Sequence, residues 1–217
     1  MIPLLHDLSG KTVVVVGGGS VALRKATLFS SSSEADVRVV ADSFDDGFDD
    51  VDCEKVEEEV SRDNIAEYVD DAYLVVPATS DDSVNDAVVE VASEKDCLVN
   101  TTHEKGDVAT PSVVETDEAV IGISTHGGSP AMTKYLRRRI EPVLEEADPM
   151  VRLQKEIRPV LKDEVDGHRE RRRLLWDVIE DDQVWEALEE GDYDEALKKA
   201  SEVTGVELSR GSHDGTV

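Results

Sequence analysis

Thr12-Val13-Val14-Val15-Val16-Gly17-Gly18-Gly19-Ser20-Val21-Ala22 is the stretch on which the fold turns. Five β-branched residues in succession describe a strand buried on both faces, as in a parallel sheet. Three glycines break it, and Val21, Ala22, Ala26, Leu28 and Phe29 then follow in a helical pattern. Gly17, Gly19 and Ala22 stand at GxGxxG/A spacing between that strand and that helix. The first glycine permits the tight turn, the second lets the backbone approach a pyrophosphate, and the small third residue lets helix and strand pack closely. Phosphates then meet N–H groups at the positive end of the helix. The motif predicts a dinucleotide site.

The alternation continues outward. Val37–Val40 and Tyr73–Val76 read as strands, Cys97–Val99 as another, and a short strand is placed at Cys53–Val56. Val84, Ala87, Val88, Val91 and Ala92 recur on one helical face. Strands alternating with helices imply right-handed βαβ units and a doubly wound parallel sheet of the α/β class. Asp42 follows the second strand, 23 residues after Gly19, near the spacing of an acid that bonds a ribose 2′-hydroxyl. That favours NAD over NADP; in so acidic a stretch the same residue also reads as solvated surface.

The pattern changes after about residue 112. Val120–Ser124 reads as a strand, followed by a turn and a helix that Pro142 should kink or end. From about residue 148 the chain is helical and highly charged, with Trp176, Ile179, Trp185 and Leu188 as expected core. The expected divisions are a Rossmann domain over 1–112, a small region over 113–147, a helical domain over 148–205 and a flexible tail over 206–217.

With 50 acidic against 23 basic residues, the chain carries a net charge of −27 over 217 residues. Nucleic acid is a poor partner for such a surface, because phosphate binding needs clustered positive charge. The apolar runs fall far short of the ~20 residues of a membrane helix. The amino-terminal stretch lacks a secretory pattern, so a cytoplasmic protein is expected. The acid coat matches proteins of organisms with high internal salt. Cys53 and Cys97 have no metal-ligand spacing, so no metal site is predicted, and both read as small buried hydrophobes near strands.

A second motif is Ser124-Thr125-His126-Gly127-Gly128-Ser129-Pro130. Ser129 suits an N-cap and Pro130 the first helical position. Glycines before a helix start form a concave set of backbone donors for carboxylate or phosphate. Arg137, Arg138 and Arg139 follow, and a further basic cluster comprises His168, Arg169 and Arg171–Arg173. Both clusters read either as partners for the chain's own carboxylates or as seats for an anionic ligand.

Together these segments resemble one family. IPLLHDLSGKTVVVVGGGSVALRKA, ATSDDSVN (Ala78–Asn85), Val99-Asn100, ISTHGGSPAMTKYLR (Ile123–Arg137) and ERRRLLW (Glu170–Trp176) are similar to the dehydrogenase module of siroheme synthases. This is the precorrin-2 dehydrogenase family, in which some members are also sirohydrochlorin ferrochelatases. The resemblance implies an NAD-binding Rossmann domain, a small dimerisation region with a swapped sheet, a helical carboxy-terminal domain, and oxidation of precorrin-2 to sirohydrochlorin by a homodimer. It implies that Ser20, Val21, Asp42, Ser43, Ala78 and Thr79 join Gly17, Gly18 and Gly19 around the cofactor. It also implies that Ser124, His126, Gly127, Gly128, Ser129 and Arg137 lie near the polycarboxylate substrate.

One departure stands out. The family's aspartate shortly after the VN strand end is replaced here by His103 on direct counting, with Glu104 beside it and Asp107 offered by a shifted alignment. Any of the three could accept a proton. Iron insertion is the first alternative, and an NAD-sensing regulatory module without chemistry is the second. If the acid coat is an adaptation to salt, thermal melting across a KCl series should show the midpoint rising from dilute buffer to molar salt. Equal midpoints throughout would refute the adaptation.

Overall fold

The computed structural model describes residues 3–31, 34–101 and 106–209. The chain forms two units, Met1–Thr110 and Pro111–Val217. In the first, β1 (Thr12–Val16), β2 (Asp36–Ala41), β3 (Glu54–Glu57), β4 (Leu74–Pro77) and β5 (Leu98–Val99) make one sheet in the order β3-β2-β1-β4-β5. All neighbours are parallel, with Val13 opposite both Val37 and Leu74. Helices α1 (Ser20–Ser31), α2 (Ile65–Val69) and α3 (Asp82–Glu94) connect the strands, and a short 3-10 turn spans Asp46–Asp50.

The valine run performs as its composition requires. Val13 and Val15 pack with Ala22, Ala26 and Phe29 of α1, whereas Val14 and Val16 pack with Val69 of α2 and Val88 and Ala92 of α3. Alternate side chains therefore feed two separate cores. Each fully buried valine contributes about 1.5–3 kcal/mol, so this strand alone anchors both layers. The helix α2 was not foreseen: five residues hold too little periodicity to stand out in an acidic stretch.

The second unit begins with the antiparallel hairpin β6 (Ser112–Glu115) and β7 (Val120–Ile123), followed by α4 (Pro130–Glu164), α5 (His168–Ile179), α6 (Asp182–Glu189) and α7 (Tyr193–Thr204). Val114 and Ile123 pack with Leu144 of α4. The hairpin tip is fixed by charge: Arg152 Nε and Lys155 Nζ of α4 donate to Glu118 at 2.9 and 2.8 Å. Met150, Leu153 and Ile157 form the α4 face of a helical core completed by Val178, Val184, Leu188 and Leu197.

Four expectations are corrected here. Of the two outcomes expected at Pro142, a kink or an end, the end does not occur, and neither Pro149 nor Pro159 ends the helix. The carbonyls four residues earlier belong to Arg138, Glu145 and Lys155, all exposed, so water can satisfy what proline cannot. Consequently α4 runs unbroken through the boundary drawn at 147/148. Trp176 is 52 % exposed rather than core. Helix α5 buries Leu174 and Val178, and a residue midway between them falls on the opposite side. Within the expected tail, Leu208 is buried against the helical core, and residues 210–217 lie outside the described set.

Cys97 is buried beside β5, while Cys53 is only partly buried. Burial, with a smaller contribution from the Asp107 charge, pushes the Cys97 thiol up to about 11. At pH 8 a thiol so shifted holds about a hundredfold less thiolate than one near 9, the ordinary value. Disulfide-exchange labelling of native protein should therefore modify Cys53 well ahead of Cys97, and both should react at once in guanidinium. Equal native rates would contradict the burial of Cys97.

Candidate nucleotide-binding and active site

The carboxyl ends of β1, β2 and β4 open onto a cavity of about 730 Å³. Gly17, Gly18, Gly19, Ser20, Val21, Asp42, Ser43, Ala78 and Thr79 all line it. In a parallel sheet the crevice outside the strand ends is where ligands sit, because loops there diverge around a switch in strand order. The switch here lies beside β1, whose neighbours β2 and β4 are reached by crossovers to either side.

Backbone proximity creates the floor. Gly17 adopts φ +123°, and a Cβ there would lie 2.6 Å from the Ala78 carbonyl oxygen. At Gly18 a Cβ would come within 1.8 Å of the Ser43 carbonyl oxygen, and the Gly18 carbonyl accepts from Asp45 N at 2.8 Å. Gly18 occupies a free position of the motif, so pattern matching missed its constraint. Only the return of the β2 loop across the turn reveals it. At Gly19, by contrast, a Cβ would meet nothing within 4 Å. That space faces the start of α1, whose helical bonding opens with Leu23 N on Gly19 O at 2.9 Å. The first-turn N–H groups lack intrahelical acceptors, so the cradle suits the pyrophosphate of a dinucleotide.

Asn85 fixes the opposite wall. Its amide oxygen accepts from Thr79 N at 3.1 Å and Thr79 Oγ1 at 2.9 Å, and its nitrogen donates to Thr79 O at 3.1 Å. Asp81 caps α3 by accepting from Ser83 N at 2.8 Å. These bonds give the ATSDDSVN segment its physical meaning: a loop locked to present Ala78 and Thr79. Among the lining residues are Asp42, Asp45, Glu59 and Asp81, and no Lys or Arg.

Residues 4–112 match the NAD_binding_7 family of NAD(P)-binding domains. The chain is 39 % identical over 207 residues to a precorrin-2 dehydrogenase of Methanosarcina barkeri, covering 92 % of this chain and 91 % of that protein. The chain belongs to the precorrin-2 dehydrogenase family. It is also 28 % identical to a siroheme synthase of Nitrosococcus oceani, over 90 % of this chain but 42 % of that longer protein. Among solved structures, SirC, a precorrin-2 dehydrogenase, matches with a TM-score of 0.71 and 25 % identity, over 93 % of this chain and all of that one.

In this precorrin-2 dehydrogenase relative, a polar knot closes the base of the segment that leaves β5. Lys25 Nζ of α1 donates to Asn100 Oδ1 at 2.8 Å and to Thr110 Oγ1, and Asn100 Nδ2 donates to Val108 O at 2.8 Å. Asn100 is 2 % exposed, and burial, with Arg24 nearby, lowers the Lys25 pKa. Sequence reading named neither residue's role, although both lie in the quoted RKA and VN fragments. Asp107 Oδ2 accepts from Val99 N at 3.3 Å. His103 and Glu104 lie outside the described residues.

The STHGGSP turn lies in the second unit. Ser129 caps α4, its Oγ accepting from Met132 N at 3.3 Å, and Pro130 holds the first position. Thr125 Oγ1 accepts from Ser129 N at 3.2 Å, and Ser124 Oγ accepts from His126 N at 3.2 Å. Ser124, His126, Gly127 and Gly128 are exposed, with His126 at φ +53°. Arg137 approaches Glu141 at 3.6 Å, an exposed pair of little strength. Among the described residues no cluster of three His, Cys, Asp or Glu could hold a metal ion.

The two glycine environments predict opposite phenotypes. Gly18→Ala should destabilise the fold by about 3 kcal/mol or more, since backbone must move. Gly19→Ala should leave the melting temperature unchanged and weaken NAD binding at least about tenfold by filling the cradle. Differential scanning fluorimetry with and without NAD separates the two.

Proposed function

We propose that this chain oxidises precorrin-2 to sirohydrochlorin with NAD in siroheme and related haem synthesis. The convergence of nine cofactor-type positions on one cavity at the carboxyl edge of the sheet carries the reading. The family relationship supplies the substrate. NAD, when bound, accepts the hydride; the protein's part is to hold two large anions in register and to take up a proton.

The nicotinamide cofactor is held by backbone donors of Gly17–Val21, with Asp42 on the adenine ribose. A cavity rimmed, among the described residues, by four carboxylates and no basic side chain opposes a 2′-phosphate by plain charge repulsion. Precorrin-2 is seated by Ser124, His126, Gly127, Gly128, Ser129 and Arg137, whose donors and charge match its carboxylates. The proton goes to His103 or Glu104, because the Asp107 carboxylate is already engaged in tethering the segment to Val99. The enzyme works as a homodimer in the cytoplasm. Met132, Tyr135 and Val143 of α4 and Val120 of β7 expose apolar surface that a second copy would cover. Among the described residues no helix is long and apolar enough to cross a membrane.

Mixing folded protein, NAD and precorrin-2 in molar KCl should generate NADH absorbance, and its absence would overturn the reading. NADP should be poorer by on the order of a hundredfold in kcat/KM, given the repulsion. His103→Ala or Glu104→Ala should lose at least about tenfold in kcat. Asp107→Ala should chiefly lower the melting temperature; a reversed pattern would reassign the base.

A further inference from the structure

The second unit contains a groove that the proposed reaction does not use. It lies between α4 and α5, encloses about 840 Å³, and falls in the size range of small-molecule sites. Val151, Pro159 and Leu175 contribute its apolar lining, Lys155, Arg158, Lys162, Arg171 and Arg172 its charge, and His168 a further polar side chain. Among the described residues no acidic side chain lines it, although 50 of the 217 residues are Asp or Glu.

On the same helices some basic side chains are paired, while Lys134, Arg138, Arg139 and Arg169 outside the groove have no ion pair among the described residues. Arg152 and Lys155 pair with Glu118, and Arg173 pairs with Glu170 and Asp177. Arg158, Lys162, His168 and Arg172 make no ion pair or side-chain hydrogen bond among the described residues. In a chain whose carboxylates outnumber its bases two to one, three unmatched cations, Arg158, Lys162 and Arg172, around one concavity give it a local positive potential. The walls are also held firmly. Gln154 Nε2 donates to Leu175 O at 3.2 Å, tying α4 to α5, and Arg171 donates to Val165 O at 3.0 Å across the turn between them.

We infer that this groove is a second anion site, built for a ligand that carries several carboxylates on an apolar frame. The apolar lining meets the frame and the cationic rim meets the carboxylates. A tetrapyrrole has this chemistry, so the groove can hold substrate or product outside the reaction site. The inference rests on the proposed function only for the choice of ligand class.

Titration of the whole chain with uroporphyrin, an octacarboxylate porphyrin, tests it by fluorescence at the lowest salt that preserves the circular dichroism spectrum. The probe should also fill the reaction site, so two equivalents per chain are expected. Arg158→Glu/Lys162→Glu/Arg172→Glu should remove one equivalent or weaken it at least tenfold, without altering NAD binding. The milder Arg158→Ala/Arg172→Ala guards against misfolding and should weaken the same equivalent. A tetracationic N-methylpyridinium porphyrin should not occupy the groove. Unchanged stoichiometry and affinity in both variants, or cationic-porphyrin binding that weakens in the same variants, would overturn the site. So would a triple variant that changes oligomeric state but not porphyrin binding, since the groove would then be a protein interface. Loss of charge-dependent groove binding with NADH formation intact would sustain the inference. A wild type that binds uroporphyrin in the groove but makes no NADH would refute the proposed function alone.

Discussion

Three chain segments meet at the end of β1 with no room for a single β-carbon between them. Gly17 lies against the Ala78 carbonyl and Gly18 against that of Ser43. This contact sets the relative height of the loops after β1, β2 and β4, and so the shape of the cavity they enclose. The valines beneath hold it from below, because alternate members of the run are committed to opposite layers. Shifting the strand by one residue would exchange both cores at once. The turn is fixed by the sheet and the sheet by the turn.

Charge is handled in two ways by the same chain. At the dinucleotide cavity, carboxylates surround a backbone cradle, and a bound anion depends on N–H groups whose direction the fold dictates. In the α4–α5 groove the arrangement is reversed, with side-chain cations over an apolar lining. A net charge of −27 makes both arrangements sensitive to salt, in opposite senses. Screening relieves repulsion between protein and dinucleotide at the first, and weakens attraction at the second.

The segment leaving β5 is pinned at its base by polar contacts. Lys25, Asn100 and Thr110 form a partly buried polar knot at its base, and Asp107 ties it to Val99. A lysine in such a place is tolerable because two oxygens receive its ammonium, even though burial disfavours its charge.

Much of this was written in local pattern. The β-branched run, the glycine turn and the one-faced helix at Val84–Ala92 each report their own geometry, since strand period, turn freedom and helix period act over a few residues. The Ser129 cap and Pro130 start were equally local. Tertiary structure alone decided the rest. That Gly18 is more restricted than Gly19 depends on a carbonyl 25 residues away in sequence, at Ser43. The unbroken course of α4 through three prolines depends on which side of the helix meets water. Trp176 stands outside because helix phase, not side-chain size, selects the buried face. Patterns that repeat within one turn of chain are legible from residues alone, whereas close approaches between distant segments exist only once the sheet and helices have assembled.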